Sequence, residues 1–184
     1  MNPPLDEDIV QRVNDLGSAP WSGIAFRFTS VGRDPRSGTG ARLFGGRWNP
    51  RGVFATIYLA LPLAACLAEL DRRAQAAGFP VPALIAQGQE LHTIAARDLQ
   101  VLDLRSDAAL NQVGLTTDDI ADEDWTACQT VGHAAYFLGY DGVVAPSATG
   151  LGLVIAAFAS RLAPGQLDVQ GTQLLTEDQY RRNR

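Results

Sequence analysis

Three side chains in a short stretch could serve one reaction centre: the guanidinium of Arg47, the phenol of Tyr58 and the carboxylate of Glu69. Gly45 and Gly46 precede Arg47 in the run Gly45-Gly46-Arg47-Trp48-Asn49, and paired glycines permit a tight turn and a close approach of backbone to ligand. A guanidinium held on such a turn can grip a pyrophosphate through two parallel hydrogen bonds. Together with an aromatic hydroxyl and a carboxylate, this points to a nucleotide site. It is neither a Walker loop, since no GK[ST] follows, nor a dinucleotide fingerprint, since GxGxxG is absent. Each residue also has a plainer reading. Arg47 can be a solvated arginine on a surface turn, Tyr58 a core aromatic with a bonded hydroxyl, and Glu69 a helix ion pair with Arg73 at i+4.

The elements that must position these groups follow from periodicity. Leu5, Ile9, Val13 and Leu16 recur at helical spacing before Gly17, which predicts a helix over about 5–16. Ile24, Phe26 and Phe28 alternate with Ala25, Arg27 and Thr29, the signature of a strand in which Arg27 and Phe28 face opposite sides. The segment from Gly32 to Gly46 is rich in Gly, Arg and Ser and reads as a long functional loop. Arg33, Arg36, Arg42, Arg47 and Arg51 would gather positive charge around it. Phe54 to Ala60 is a second strand, and Pro62 opens a helix that runs to about Ala77. Leu63, Cys66, Leu67, Leu70 and Ala74 form its apolar stripe, with Glu69 about 60° beyond Cys66 on the margin, where a carboxylate can look into a cleft.

Further on, Gln89 to Ala95 and Gln100 to Leu104 read as strands, and Ser106 and Thr117 as caps of two more helices, the second reaching Leu138. Gly142 to Ala145 and Leu151 to Phe158 are apolar strands flanking Pro146-Ser147-Ala148-Thr149-Gly150, Gln166 to Gln170 adds an edge strand, and the tail is helical over about 176–184. Strands and helices are segregated, which predicts an α+β fold in one domain over 1–184, with its core at about 21–170.

A chain of 184 residues buries roughly 70% of its unfolded surface in one core. Hydrophobic residues at 46% against 19% charged exclude a disordered chain, and no apolar run is long enough to span a membrane. The polar, acidic first residues predict a cytoplasmic protein without a secretory signal. Cys66 and Cys128 have neither CxxC nor Cys/His spacing, which predicts buried thiols and no metal. The acidic run from Asp118 to Asp124 lacks calcium-loop spacing and reads as a helix-start cluster, and His92 and His133 read as structural. A net charge of -5 argues against direct nucleic-acid binding. All basic residues are arginine, which a GC-rich genome explains and which leaves forked donors suited to phosphate.

Arg27 in Phe26-Arg27-Phe28, the Gly46-Arg47-Trp48-Asn49 turn, Tyr58-Leu59-Ala60, Glu69 and Pro146-Ser147-Ala148, in that order and spacing, resemble the RES domain of toxin–antitoxin systems. Within that family the chain is similar to NAD+-degrading members, with which it shares Val101-Leu102-Asp103-Leu104 and Val131-Gly132-His133-Ala134-Ala135. The resemblance implies a fold like that of ADP-ribosyltransferases, with mixed or antiparallel sheets and flanking helices. It further implies a toxin that cleaves NAD+ with inorganic phosphate into ADP-ribose 1''-phosphate and nicotinamide. Water or a protein as acceptor, giving an NAD+ glycohydrolase or an ADP-ribosyltransferase, are the alternatives, and a non-enzymatic binding module is a third class. NAD+ and phosphate are then substrates, with no further cofactor. Carried over by position, Glu69, Arg47 and Tyr58 would be catalytic, and Arg27, Phe28, Gly46 and Ser147 would bind substrate, Phe28 standing where similar members carry tyrosine. The partner implied is a cognate Xre-like antitoxin that blocks the active site in a hetero-oligomer.

Overall fold

The computed structural model describes residues 4–184. Helix α1 (Glu7–Leu16) starts at Asp6, whose carboxylate accepts the Ile9 amide, and stops at Gly17, where φ is 76°. Strand β1 (Ala19–Ser30) follows, then α2 (Thr39–Phe44), β2 (Thr56–Leu61), α3 (Leu63–Ala76) and α4 (Val81–Ala86). The second half carries β3 (Gln89–Asp103), α5 (Asp107–Gln112), α6 (Thr117–Ala121), α7 (Thr126–Phe137), β4 (Gly142–Pro146), β5 (Leu153–Phe158), β6 (Leu167–Leu174) and α8 (Glu177–Asn183). The predicted mixed α+β architecture is present.

Strand pairings run in a ring: β1 with β2, β2 with β5, β5 with β4, β4 with β3, and β3 back to β1, with β6 added along β3. Only β3 and β4 are parallel. Every ring strand contributes to one apolar cluster, among them Ala25, Leu59, Ile94, Val144 and Ile155. Side chains of opposite parity face outward into two further clusters. One, built on Trp48, Phe54 and Phe158, is covered by α1, α5, α6 and α7; the other packs β-strand residues Ala60 and Leu91 under α3, α4 and α8. A strand covered on both faces reads as apolar throughout, which is the pattern of β5.

Several sequence expectations need correction. The stretch from Gly32 to Gly46 is no uninterrupted loop, because its second half winds into α2. The two strands read at 89–95 and 100–104 are one: β3 continues through Asp98 in a left-handed conformation (φ 49°), braced where Ser22 Oγ accepts the Asp98 amide at 2.8 Å. The polar Arg97-Asp98 pair imitates a turn because this part of β3 is exposed. The long helix expected up to Leu138 is two helices, α6 and α7, and α6 is capped by Thr116, not Thr117. Asp119 closes a capping box with Thr116, and Asp124 accepts the Thr126 amide at 2.9 Å at the start of α7. The acidic run thus supplies carboxylate acceptors at two helix starts. In β1, Ile24 is 48% exposed, whereas Ala25 is fully buried inside the ring; Phe26 and Phe28 pack outward against α3.

Candidate active site

Gly46 and Asn49 exchange backbone hydrogen bonds of 3.0 and 3.2 Å, which sets Arg47 and Trp48 at the tip of a tight turn. Trp48 is wholly buried, so the turn is pressed against α7, and there the Trp48 carbonyl lies so close to Gly132 that any Cβ would collide with it. Asn49 Nδ2 ties the turn to the Ala41 carbonyl at 2.8 Å, and Gln129 Nε2 to the Gly46 carbonyl at 2.9 Å. Tyr58 secures it from below: its hydroxyl accepts the Trp48 amide at 2.9 Å and donates to Asn49 Oδ1 at 2.8 Å. Burial holds that phenol well above its ordinary pKa, so it stays protonated. A Cβ at Gly46 would strike the same hydroxyl, which is why glycine is required there.

This turn forms one wall of a cleft of about 640 Å³, within the range of small-molecule sites. Phe26, Arg27 and Phe28 of β1 form another wall, and the ring of Tyr58 lies between. The opposite side is α3, where Cys66, Glu69, Arg72, Arg73 and Ala76 follow at helical spacing, so one stripe of α3 faces the cleft while Leu70 and Ala74 face the core. Phe44 and Trp125 stand at the rim, 79% and 37% exposed.

Glu69 makes no ion pair with Arg73. Its Oε1 instead accepts a hydrogen bond from Ser147 Oγ at 3.0 Å, while Arg73 lies over the Phe28 ring, 5.6 Å from its centroid. Ser147 is buried, bonded also to Thr149 Oγ1 at 2.8 Å, and does not line the cleft; it fixes the carboxylate from behind. Arg27 donates from Nη2 to the Ser37 carbonyl at 2.9 Å, and its Nη1 is buried without a protein partner among the described residues. Arg47 donates to the Asp122 carbonyl at 2.8 Å and sits 5.6 Å from the Trp125 ring centroid. Burial depresses both guanidiniums, yet arginine remains charged.

The structure therefore gathers Arg27, Phe28, Gly46, Arg47, Tyr58 and Glu69 in one place, with Ser147 one hydrogen bond behind. Sequence reading missed Arg72, Phe44 and Trp125 as lining residues. Arg72 was within reach of it, standing three residues after Glu69 on the same stripe. The predicted patch of loop arginines does not line the cleft: Arg33, Arg36, Arg42 and Arg51 lie outside it, and Arg36 pairs with Asp34 at 3.8 Å. The cleft's other two positive charges come from α3.

Neither histidine lines the cleft, although His92 is paired with Arg27 across the sheet. His92 bridges Thr29 Oγ1 at 2.8 Å and Thr172 Oγ1 at 2.9 Å between strands, His133 lies 6.1 Å from the Phe54 ring, and burial lowers the pKa of both. Burial pushes the Cys66 thiol up to about 12 and Cys128 up to about 11, so neither is a nucleophile near neutrality. Among the described residues no group of three acidic, histidine or cysteine side chains could hold a metal ion, and no helix is long and apolar enough to cross a membrane.

The chain as a whole is similar to proteins of known character. NAD(+) phosphorylase MbcT of Mycobacterium bovis is 47% identical over 180 residues, covering 98% of this chain and 97% of that protein, and MbcT of Mycobacterium tuberculosis matches to the same extent. The crystal structure of the M. tuberculosis MbcT–MbcA toxin–antitoxin complex superposes with a TM-score of 0.91 at 46% identity, covering 97% of this chain and 98% of that one. The model of the RES domain matches residues 21–176. Agreement over most of the chain, in sequence and in backbone, places this protein in the RES domain family.

Proposed function

We propose that the chain is the toxin of a toxin–antitoxin pair and that it consumes NAD+ by phosphorolysis, giving ADP-ribose 1''-phosphate and nicotinamide. The observation that carries this reading is the cleft itself, in which a single carboxylate, Glu69, faces four guanidiniums. Nicotinamide leaves NAD+ as a neutral base, so its departure needs no general acid; what needs stabilising is the electron-poor sugar left behind. Glu69, oriented by Ser147, holds the ribose hydroxyls and offsets the developing positive charge, as carboxylates do in glycosidic cleavage. Arg27 and Arg47 take the pyrophosphate, and the free Nη1 of Arg27 gains a partner in doing so. Tyr58 acts through position: its ring lines the nicotinamide end while its hydroxyl holds the turn that carries Arg47.

Likeness to NAD(+) phosphorylase MbcT over nearly the whole chain supports this assignment, and the strand ring with flanking helices is read as a form of the ADP-ribosyltransferase fold. The partner is a cognate Xre-like antitoxin acting in the cytoplasm and closing the cleft over its Phe44 and Trp125 rim. Incubating the purified protein with NAD+, with and without phosphate, and weighing the products tests the reading. ADP-ribose 1''-phosphate that forms only when phosphate is present is the expected result. ADP-ribose at every phosphate concentration would make the protein a glycohydrolase, and mass added to protein would make it a transferase.

A further inference from the structure

Of the four arginines lining the cleft, three are engaged by the protein: Arg27 with the Ser37 carbonyl, Arg47 with the Asp122 carbonyl and Arg73 with the Phe28 ring. Arg72 has no hydrogen bond, ion pair or aromatic contact among the described residues, although it is half-buried and shares the cleft-facing stripe of α3 with Glu69, one turn away. Its charge acts on Arg47 across the cleft, a like-charge approach that an anion between them would relieve. Charge counting sharpens the point. Within the lining, four guanidiniums against one carboxylate make an excess of three positive charges, with Asp34 acting on Arg27 from outside it. NAD+ brings two pyrophosphate charges and one compensating nicotinamide cation, so two positive charges remain, and hydrogen phosphate carries about that many negative ones near neutrality.

We infer that Arg72 is the acceptor-binding residue, holding the inorganic phosphate dianion beside Glu69 and thereby selecting phosphate over water. This rests on the phosphorolytic reading above. In the step it serves, a phosphate oxygen forms the bond to the anomeric carbon of the nicotinamide ribose. The carbon–nitrogen bond breaks, and its electron pair returns to the pyridinium nitrogen and neutralises it. The net charge of −3 on NAD+ plus hydrogen phosphate is conserved in ADP-ribose 1''-phosphate bearing a singly protonated phosphate. Phosphate and NAD+ repel each other in solution, so a guanidinium that contacts the acceptor lowers the cost of bringing them together.

The test is Arg72→Gln, which keeps a helix-forming residue of similar reach on α3. It is expected to raise the KM for phosphate about ten- to hundredfold, the loss of a charge-assisted contact, while the KM for NAD+ stays within about twofold. The share of ADP-ribose among the products should rise. Arg72→Lys, which keeps the charge and loses the fork, should fall between the two proteins and remains informative should Arg72→Gln fold poorly. Inorganic phosphate alone should raise the melting temperature of the unaltered protein and lose that effect in Arg72→Gln, a readout independent of turnover. Unaltered protein that depends on phosphate, paired with variants whose phosphate KM is unchanged or whose NAD+ KM rises equally, overturns the Arg72 assignment alone. Unaltered protein indifferent to phosphate overturns the phosphorolytic reading, and the assignment with it.

Discussion

Glu69→Ala is expected to lower NAD+ turnover by about a hundred- to a thousandfold while leaving the fold in place. The side chain is only half-buried, lies on the margin of the α3 stripe and makes one hydrogen bond among the described residues, to Ser147, so its removal leaves no cavity in the core and strands no buried charge. Its loss is felt where positive charge develops on the sugar. Glu69→Gln separates charge from shape: the amide oxygen can still accept from Ser147, yet it offers the sugar no negative charge, so activity should be nearly as low as in the alanine variant. Expression of the unaltered chain should deplete cellular NAD+ and arrest growth, and both effects should vanish with either substitution. Near-normal turnover by a folded Glu69→Ala protein would reduce this carboxylate to ordinary helix polarity.

Gly132→Ala should damage the protein from the opposite side. On propensity alone alanine in a helix gains about 1 kcal/mol over glycine. Here the new Cβ would collide with the Trp48 carbonyl oxygen, and both the atom and its surroundings are backbone, so nothing small can swing away. Steric displacement wins: α7 and the Gly46–Asn49 turn must separate, at a net cost of about 3 kcal/mol, with a fall in melting temperature of about 6–12 °C. Turnover should drop further than stability predicts, because a shift of about 1 Å in the turn that carries Arg47 is enough to cost about a hundredfold. A variant that melts within about 2 °C of the original would mean that the turn and α7 are less tightly joined than the structure shows.

What could be read from sequence was whatever depended on neighbours along the chain. The α3 stripe, its proline start and the marginal place of Glu69 follow from helical period alone, and the strand carrying Arg27 follows from alternation. Contacts between distant positions escaped, even where the residues themselves had been singled out. Ser147 and Glu69 are 78 positions apart and meet through one hydrogen bond. The Arg47 guanidinium is pinned by a carbonyl 75 residues away, which no local pattern encodes. Closure of the strand ring escaped for the same reason, since β1 and β3 pair across the chain from Ala19 with Val101 to Ser30 with Gln89. The acidic run misled in a different way: its carboxylates satisfy amides at two helix starts, so a segment that looked continuous was two helices.

The placing of the three tryptophans gives the protein an optical reporter of its own. Trp21 and Trp48 are sealed in the interior, whereas Trp125 stands at the mouth of the cleft with the Arg47 guanidinium near its ring. A ligand lodged between the arginines, or a partner laid across the entrance, is expected to change the polarity and quenching that this indole experiences. Its emission should therefore follow occupancy without a label, against a steady background from the two buried indoles.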